Sequence, residues 1–221
     1  NARNLAVAAM RKLGCAGEAE RWLRETLALD PLDSWARYLN NQAAFADNQM
    51  RIDVALDNAR AGLYEEAVQI LSAFDREAND GSAPMVLYAL AYFHSRLENT
   101  AEAKKTYAQA AAAKADYCFP SRLEEMLFLE AAIDANPEDA RAPYYLANLL
   151  YDRKRHREAI AYWERAVKLD PSFATAWRNL GIGYFNVLEN GAEARRAFDR
   201  AFQTGPSDAR VLYERDQLWK R

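Results

Sequence analysis

Apolar side chains recur along most of the chain with a spacing of about 3.6 residues, the period of an amphipathic helix. No stretch alternates apolar and polar residues as a half-buried strand does. The pattern therefore predicts an all-α chain of about thirteen helices and no sheet. The predicted segments are helix pairs over 2–31, 49–78 and 84–113, two pairs over 140–207, single helices over 33–45 and 121–135, and a last helix over 208–220.

One predicted pair carries a spaced signature of large and small residues. W-x2-L-G-x2-Y is followed by A-x3-F and then P, at Trp177, Leu180, Gly181, Tyr184, Ala194, Phe198 and Pro206. Gly181 and Ala194 let two antiparallel helices approach closely, and the large residues fill the space around the crossing. Pro206 ends the second helix because proline lacks an N–H. The preceding pair repeats this plan, with Leu146, Ala147, Leu150, Ala159, Trp163 and Pro171 at the matching positions.

This signature resembles the tetratricopeptide repeat (TPR), a helix–turn–helix unit of about 34 residues. The resemblance is specific over residues 140–220, and weaker pairs extend it to nearly the whole chain. It implies a TPR-like right-handed superhelix whose concave groove binds a partner. We expect one elongated array over 1–221, with irregular repeats over 1–139, well-matched repeats over 140–207 and a terminal helix over 208–220. The regular repeat spacing is interrupted near residues 45–49 and 114–121.

Three segments suggest a narrower resemblance. Residues 118–125, 144–151 and 212–218 are similar to the C-terminal TPR region of large bacterial proteins. Those proteins carry an N-terminal domain of unknown function and are linked to carbohydrate metabolism. The resemblance implies that this chain is the accessory part of a larger protein. It supplies no functional motif that could be carried over residue by residue.

The first helix of each pair supplies the candidate binding surface. Residues at i, i+3 and i+7 share one helix face, and in TPRs this face lines the groove. Arginine can bind a carboxylate through two N–H groups, asparagine can bond a peptide backbone, and tyrosine adds contact area at a small entropy cost. The alternative, in which the tyrosines pack against neighbouring helices, stays open. The candidates are Tyr88, Tyr92, Arg141, Tyr144, Asn148, Tyr151, Thr175, Arg178, Asn179, Ile182, Phe185 and Tyr213.

A carboxylate clamp like that of chaperone-binding TPRs is disfavoured. Asn148 and Arg178 fit such a clamp, but Tyr144 and Ile182 stand where it needs cations. The segment Tyr117-Cys118-Phe119-Pro120 is a second candidate, either as a reactive thiol or as a docking loop. The preferred interpretation is an ordered loop whose aromatic side chains fill the gap left by a missing helix, with Cys118 buried.

Composition excludes several classes of function. A net charge of −3 supplies no basic field for nucleic acid, and no run of apolar residues is long enough to span a membrane. Two cysteines far apart in sequence favour reduced thiols and a cytoplasmic location. His94 and His156 lack partners at metal-ligand spacing. We therefore expect no metal, no cofactor and no catalytic site.

Three functions remain open. The first is a protein-interaction scaffold that binds a peptide segment or a neighbouring domain, including the chain's own missing N-terminal region. The second is a glycan- or substrate-binding accessory region that stacks sugars on Tyr88, Tyr144 or Tyr151. The third is a homo-oligomerisation module, most simply a homodimer. None of the three is an enzyme.

Overall fold

The computed structural model describes residues 1–42, 45–75, 81–114, 117–206 and 209–219. These residues form thirteen helices and no strand, which confirms the predicted all-α fold. The helices are α1 (Ala2–Lys12), α2 (Ala16–Leu29), α3 (Ser34–Leu39), α4 (Asn48–Arg60), α5 (Tyr64–Ser72), α6 (Ala83–Arg96), α7 (Thr100–Ala112), α8 (Glu124–Ala135), α9 (Arg141–Asp152), α10 (His156–Leu169), α11 (Ala174–Asn186), α12 (Gly191–Thr204) and α13 (Ala209–Trp219).

Short turns with a left-handed residue join the two helices of several pairs. Gly14 and Gly62 have φ of +76°, and Lys154 takes the same position with φ of 63°. In the α9–α10 turn, the N–H of Arg155 donates to the carbonyl of Leu150 at 2.9 Å. This is the long hydrogen bond of a Schellman motif, which stops the first helix within one turn. Such short connections make the two helices of a pair antiparallel neighbours.

The chain divides into two compact units, residues 1–106 and 107–221, which are described separately. In the first unit, α1, α2 and α3 pack around Val7, Leu23 and Ala36. In the second unit, the core of α9–α12 is built from large side chains that are almost fully buried. These are Tyr145, Leu146, Leu149, Leu150, Trp163, Leu180 and Phe198. The single elongated array expected from the sequence stays a prediction.

Glycine permits the close helix approaches in the second unit. A Cβ on Gly181 would lie 3.0 Å from the Phe198 ring, and one on Gly183 would lie 2.8 Å from Cγ1 of Ile160. Both positions therefore hold glycine because no space remains for a side chain. Trp177 was expected to fill the same crossing but is only half-buried. Its indole N–H donates instead to the carbonyl of Pro171 at 3.0 Å, in the turn before α11.

The two irregular segments are only partly described. The single helix predicted over 33–45 is shorter, Ser34–Leu39, and residues 43–44 lie outside the described part. The helix predicted over 121–135 is observed as Glu124–Ala135. Residues 117–121 before it are not helical, as expected, and residues 115–116 lie outside the described part. Also outside the described part are residues 76–78 of the predicted pair 49–78, and residues 208 and 220 at the ends of the predicted helix 208–220.

Candidate functional site

A cavity with a volume of about 730 Å³ lies in the second unit. It is bounded by the first turns of α9 and α11, by the turn before α11 and by the segment that follows α7. Its lining residues are Lys114, Tyr117, Cys118, Phe119, Arg141, Tyr144, Asp170, Ser172, Phe173, Ala174, Thr175, Arg178, Asn179 and Arg210. We call it the α9–α11 cavity.

Basic side chains dominate the α9–α11 cavity. Among the described residues that line it, four are basic, Lys114, Arg141, Arg178 and Arg210, and one is acidic, Asp170. The whole chain carries a net charge of −3, so this is a local reversal of sign. Asp170 is already engaged, since its Oδ1 accepts hydrogen bonds from the backbone N–H and the hydroxyl of the nearby Ser172 at 2.9 and 2.6 Å. The cavity can therefore attract an anion.

Three of these four cations, Arg141, Arg178 and Lys114, differ in how firmly they are held. The guanidinium of Arg141 lies over the Phe173 ring, 4.0 Å from its centroid. Arg178 forms an ion pair with Glu214 of α13. Lys114 is exposed and has no ion pair or hydrogen bond within the described residues. Lys114 is consequently the cation whose charge is least compensated by the protein.

Tyr144 forms an apolar wall rather than an open surface. Its ring lies 4.5 Å from that of Phe173 and 5.4 Å from that of Tyr145, centroid to centroid. Burial raises the pKa of the Tyr144 hydroxyl above its ordinary value, and a hydrogen bond with Asn148 partly opposes this shift. Tyr144 therefore stays neutral and supplies apolar contact area to the cavity.

Asn148 joins three helices through one carbonyl oxygen. Its Oδ1 accepts hydrogen bonds from Nε1 of Trp163 in α10 and from Nδ2 of Asn179 in α11, both at 3.0 Å. Tyr151, one turn further along α9, stacks between the rings of Trp163 and His156, with centroid distances of 5.2 and 4.5 Å. Asn148 and Tyr151 thus contribute to packing between helices behind the cavity.

The loop at residues 117–120 alternates between solvent and core. Tyr117 and Phe119 are 75% and 74% exposed, whereas Cys118 is 2% exposed and Pro120 is buried. The interpretation that Cys118 is buried is confirmed. The interpretation that the aromatic side chains fill a gap is wrong, because both rings are about three-quarters exposed. Cys118 and Pro120 face inward, so Tyr117 and Phe119 face solvent at the cavity.

Three contacts hold this loop in place. Cys118 lies against the hydroxyl of Tyr145, whose pKa is raised mainly by burial and also by this neighbour. Arg153, at the end of α9, donates to the carbonyl of Ser121. The buried carboxylate of Glu125 accepts from the backbone N–H groups of Ser121 and Arg122 at 2.6 and 2.8 Å. Two exposed aromatic rings are therefore presented by a fixed backbone.

The predicted groove residues separate into groups. Five of them, Arg141, Tyr144, Thr175, Arg178 and Asn179, line the α9–α11 cavity. Ile182, Phe185 and Tyr213 line a smaller cavity of about 360 Å³ in the same unit. In the first unit, Tyr88 is fully buried and Tyr92 is half-buried beside Phe93. Tyr88 packs in the core because α6 is apolar on nearly all sides and has no solvent-facing tyrosine stripe.

The sequence pattern did not identify several lining residues. Lys114, Asp170, Ser172 and Phe173 lie in connections, outside the i, i+3, i+7 positions that the helix-face argument considers. For the loop, the sequence offers two closely spaced aromatic residues, Tyr117 and Phe119, but local spacing does not say which way their rings face.

Family models match two parts of the chain. A TPR repeat model matches residues 147–187, and two tetratricopeptide repeat models match residues 128–162 and 86–117. The chain carries tetratricopeptide repeats. The matched segments include α6 and α9–α11, so the α9–α11 cavity lies on the first helices of two successive TPRs.

Known TPR proteins are similar to this chain over different spans. The chloroplastic tetratricopeptide repeat domain-containing protein PYG7 of Arabidopsis thaliana is 34% identical over 98 residues. That match covers 42% of this chain and 32% of PYG7. The structure of MamA matches with 19% identity and a TM-score of 0.39, covering 92% of this chain and 96% of MamA. YrrB, described as a TPR protein with an unusual peptide-binding site, matches with 18% identity and a TM-score of 0.39, covering 88% and 97%.

A third solved structure is the first TPR of Spaghetti bound to an HSP90 peptide. It is 18% identical with a TM-score of 0.40, covering 64% of this chain and 94% of that one. The link to an N-terminal domain, a bacterial source and a cytoplasmic location stay predictions.

The described residues show neither a metal-ligand cluster nor a membrane-spanning helix. Among the described residues, no group of three or more His, Cys, Asp or Glu side chains could hold a metal ion. None of the described helices is long and apolar enough to cross a membrane. Burial lowers the pKa of His94, and the nearby Glu102 opposes this shift. The side chains around the α9–α11 cavity provide cations, amides and aromatic rings, which suit recognition of a peptide.

Proposed function

We propose that the chain is a protein-interaction scaffold that binds a peptide segment in the α9–α11 cavity. The observation that carries this proposal is the cavity itself. It holds five residues predicted independently from TPR spacing, and it lies on the first helices of two successive repeats. Its volume of about 730 Å³ and its mixture of cations and aromatic rings suit several residues of an extended chain. The bound segment belongs to a separate protein or to a neighbouring domain of the same protein.

The alternatives have less support from the described residues. Sugar stacking requires an open ring face, but Tyr88 and Tyr144 are buried and Tyr151 packs between two other rings. A homodimer would need a self-complementary interface, and no feature of the described residues identifies one. We propose that the chain has no catalytic activity, since no described histidine lines the cavity and the Ser172–Asp170 hydrogen bond belongs to the turn before α11.

A peptide library displayed on phage tests this function directly. The purified full chain is used to select binders, in parallel with a cavity-blocking variant and a matched control. Ser172→Trp places a large ring at the exposed mouth of the cavity, whereas Gln203→Trp places the same ring on the exposed surface of α12. Circular dichroism verifies that both variants are folded.

We expect selected peptides to bind the wild type and Gln203→Trp equally and to lose binding to Ser172→Trp. The proposal fails if no sequence is enriched, or if the enriched peptides bind Ser172→Trp as well as the wild type. Measuring the mass by light scattering at several concentrations tests the homodimer separately.

A further inference from the structure

The segment between α7 and α8 departs from the repeat plan and supplies one side of the α9–α11 cavity. Lys114, Tyr117 and Phe119 are exposed, line the cavity and make no ion pair, hydrogen bond or ring contact within the described residues. In the paired helices α9–α12, by contrast, Tyr145, Trp163 and Phe198 are buried. We call Lys114, Tyr117 and Phe119 the lip of the cavity.

We propose that the lip selects an acidic peptide segment in which an apolar side chain stands beside carboxylates. This inference rests on the proposed function and adds the chemistry of the partner. The carboxylates bind the cations of the cavity, and the apolar side chain packs on Phe119 and Tyr117. The interruption of the repeats is thereby the element that determines specificity.

Charge complementarity is the first argument. The described lining has four basic side chains and one acidic one. An excess of positive charge remains among the described residues after the pairing of Arg178 with Glu214 is counted. Lys114 has no acidic partner within the described residues and is free to pair with a carboxylate. An arginine such as Arg141, fixed over an aromatic ring, is oriented before the ligand arrives, which reduces the entropy lost on binding.

The helix ends at the cavity supply a second argument. Asp139 lies just before Ala140, the N-cap of α9, and its Oδ1 accepts from the backbone N–H groups of Arg141 and Ala142 at 2.7 and 3.3 Å. The N-cap of α11 is Phe173, whose side chain cannot cap. The positive end of the α11 dipole is therefore not neutralised by a capping carboxylate and favours an anion in the cavity. This effect adds to the charges of Arg178 and Arg141.

The exposed rings supply the third argument and exclude a purely electrostatic ligand. Two aromatic side chains that are about three-quarters exposed cost solvation free energy unless a partner covers them. Contacts of Cys118, Ser121 and Glu125 hold the backbone beside both rings, which places the two rings next to each other at the cavity. A chain with a net charge of −3 also repels a long polyanion, which favours a short acidic peptide over nucleic acid.

Fluorescence anisotropy with defined peptides tests the lip. The probes are fluorescein-labelled GEELEEG, GEESEEG and GQQLQQG, together with a labelled short single-stranded oligonucleotide. The protein is the full chain as wild type, Lys114→Glu and Phe119→Ser. Two controls repeat the same chemical changes at exposed positions outside the cavity, Lys168→Glu and Leu32→Ser. Circular dichroism confirms that all five proteins are equally helical.

We expect GEELEEG to bind the wild type at least about fivefold more tightly than GEESEEG or GQQLQQG. Lys114→Glu should weaken GEELEEG about tenfold, and raising salt should weaken it further. Phe119→Ser should lower the affinity for GEELEEG to that for GEESEEG. The controls Lys168→Glu and Leu32→Ser should change the affinity for GEELEEG less than about twofold.

Four results would overturn the inference. They are equal binding of GQQLQQG and GEELEEG, insensitivity of GEELEEG to both lip variants, tighter binding of the oligonucleotide than of GEELEEG, or no binding of any probe. The library selection with Ser172→Trp decides the proposed function independently. In one outcome, selected peptides lose binding to Ser172→Trp yet contain no acidic residues and bind the lip variants normally. That result would support the proposed function and contradict the proposed role of the lip.

Discussion

The regular repeats α9–α12 and the interrupted segment before α8 use aromatic residues in opposite ways. In the repeats, Tyr145, Trp163 and Phe198 are buried and hold neighbouring helices together. In the interrupted segment, Tyr117 and Phe119 are exposed and make no hydrogen bond or ring contact within the described residues. The comparison indicates that the repeat signature encodes packing, whereas the departure from the signature places side chains where a partner can reach them.

Removal of a buried tryptophan from a regular repeat should have the largest effect on stability. Trp163 is 3% exposed and donates to Asn148, so Trp163→Ala should lower the free energy of unfolding by about 3–5 kcal/mol. Trp177 is a matched control, because it also donates through Nε1 but is half-buried. Urea unfolding followed by circular dichroism should show a clearly smaller loss for Trp177→Ala. Equal losses would contradict the assignment of these two roles.

A methyl group added at the helix crossing should have an intermediate effect. Gly183→Ala places a Cβ 2.8 Å from Ile160, and the overpacking should outweigh the gain in helix propensity by about 1–2 kcal/mol. Gly191→Ala is the control, because nothing lies within 4 Å of its added Cβ. Thermal unfolding should show a lower midpoint for Gly183→Ala alone. A neutral Gly183→Ala would mean that Ile160 can move aside and that the crossing is not tightly packed.

The lip should have the smallest effect on stability. Tyr117→Ser/Phe119→Ser should change the free energy of unfolding by less than about 0.5 kcal/mol, because both rings are exposed. Phe128→Ala in the core of α8 should cost about 3–5 kcal/mol under the same conditions. A large loss in the double variant would show that the lip is structural and would remove the contrast between the two regions.

Helix positions followed from periodicity because each helix must bury one face. The observed helices α9–α12 fall within the predicted pairs over 140–207, and the small residues at Gly181 and Ala194 lie at the predicted crossing. Periodicity identifies which residues share a face, but it does not say whether that face meets solvent or another helix. Tyr88 shows this limit, since it shares the predicted face and is nevertheless fully buried.

The candidate site was predicted only in part for a similar reason. Arg141, Tyr144, Thr175, Arg178 and Asn179 were identified because they repeat on helices. Lys114 and Phe119 lie in a segment without a repeat, whose path depends on contacts with distant residues such as Tyr145 and Arg153. Such long-range contacts are not encoded in local spacing, so the position of the lip required the structure.

Hydrogen–deuterium exchange of the full chain, with and without a library-selected peptide, tests the central claim most directly. The peptide should slow exchange in the first turns of α9 and α11 and at residues 117–120, while exchange in α10 and α12 stays unchanged. Protection that is confined to α10 and α12, or to the first unit, would contradict a binding site in the α9–α11 cavity.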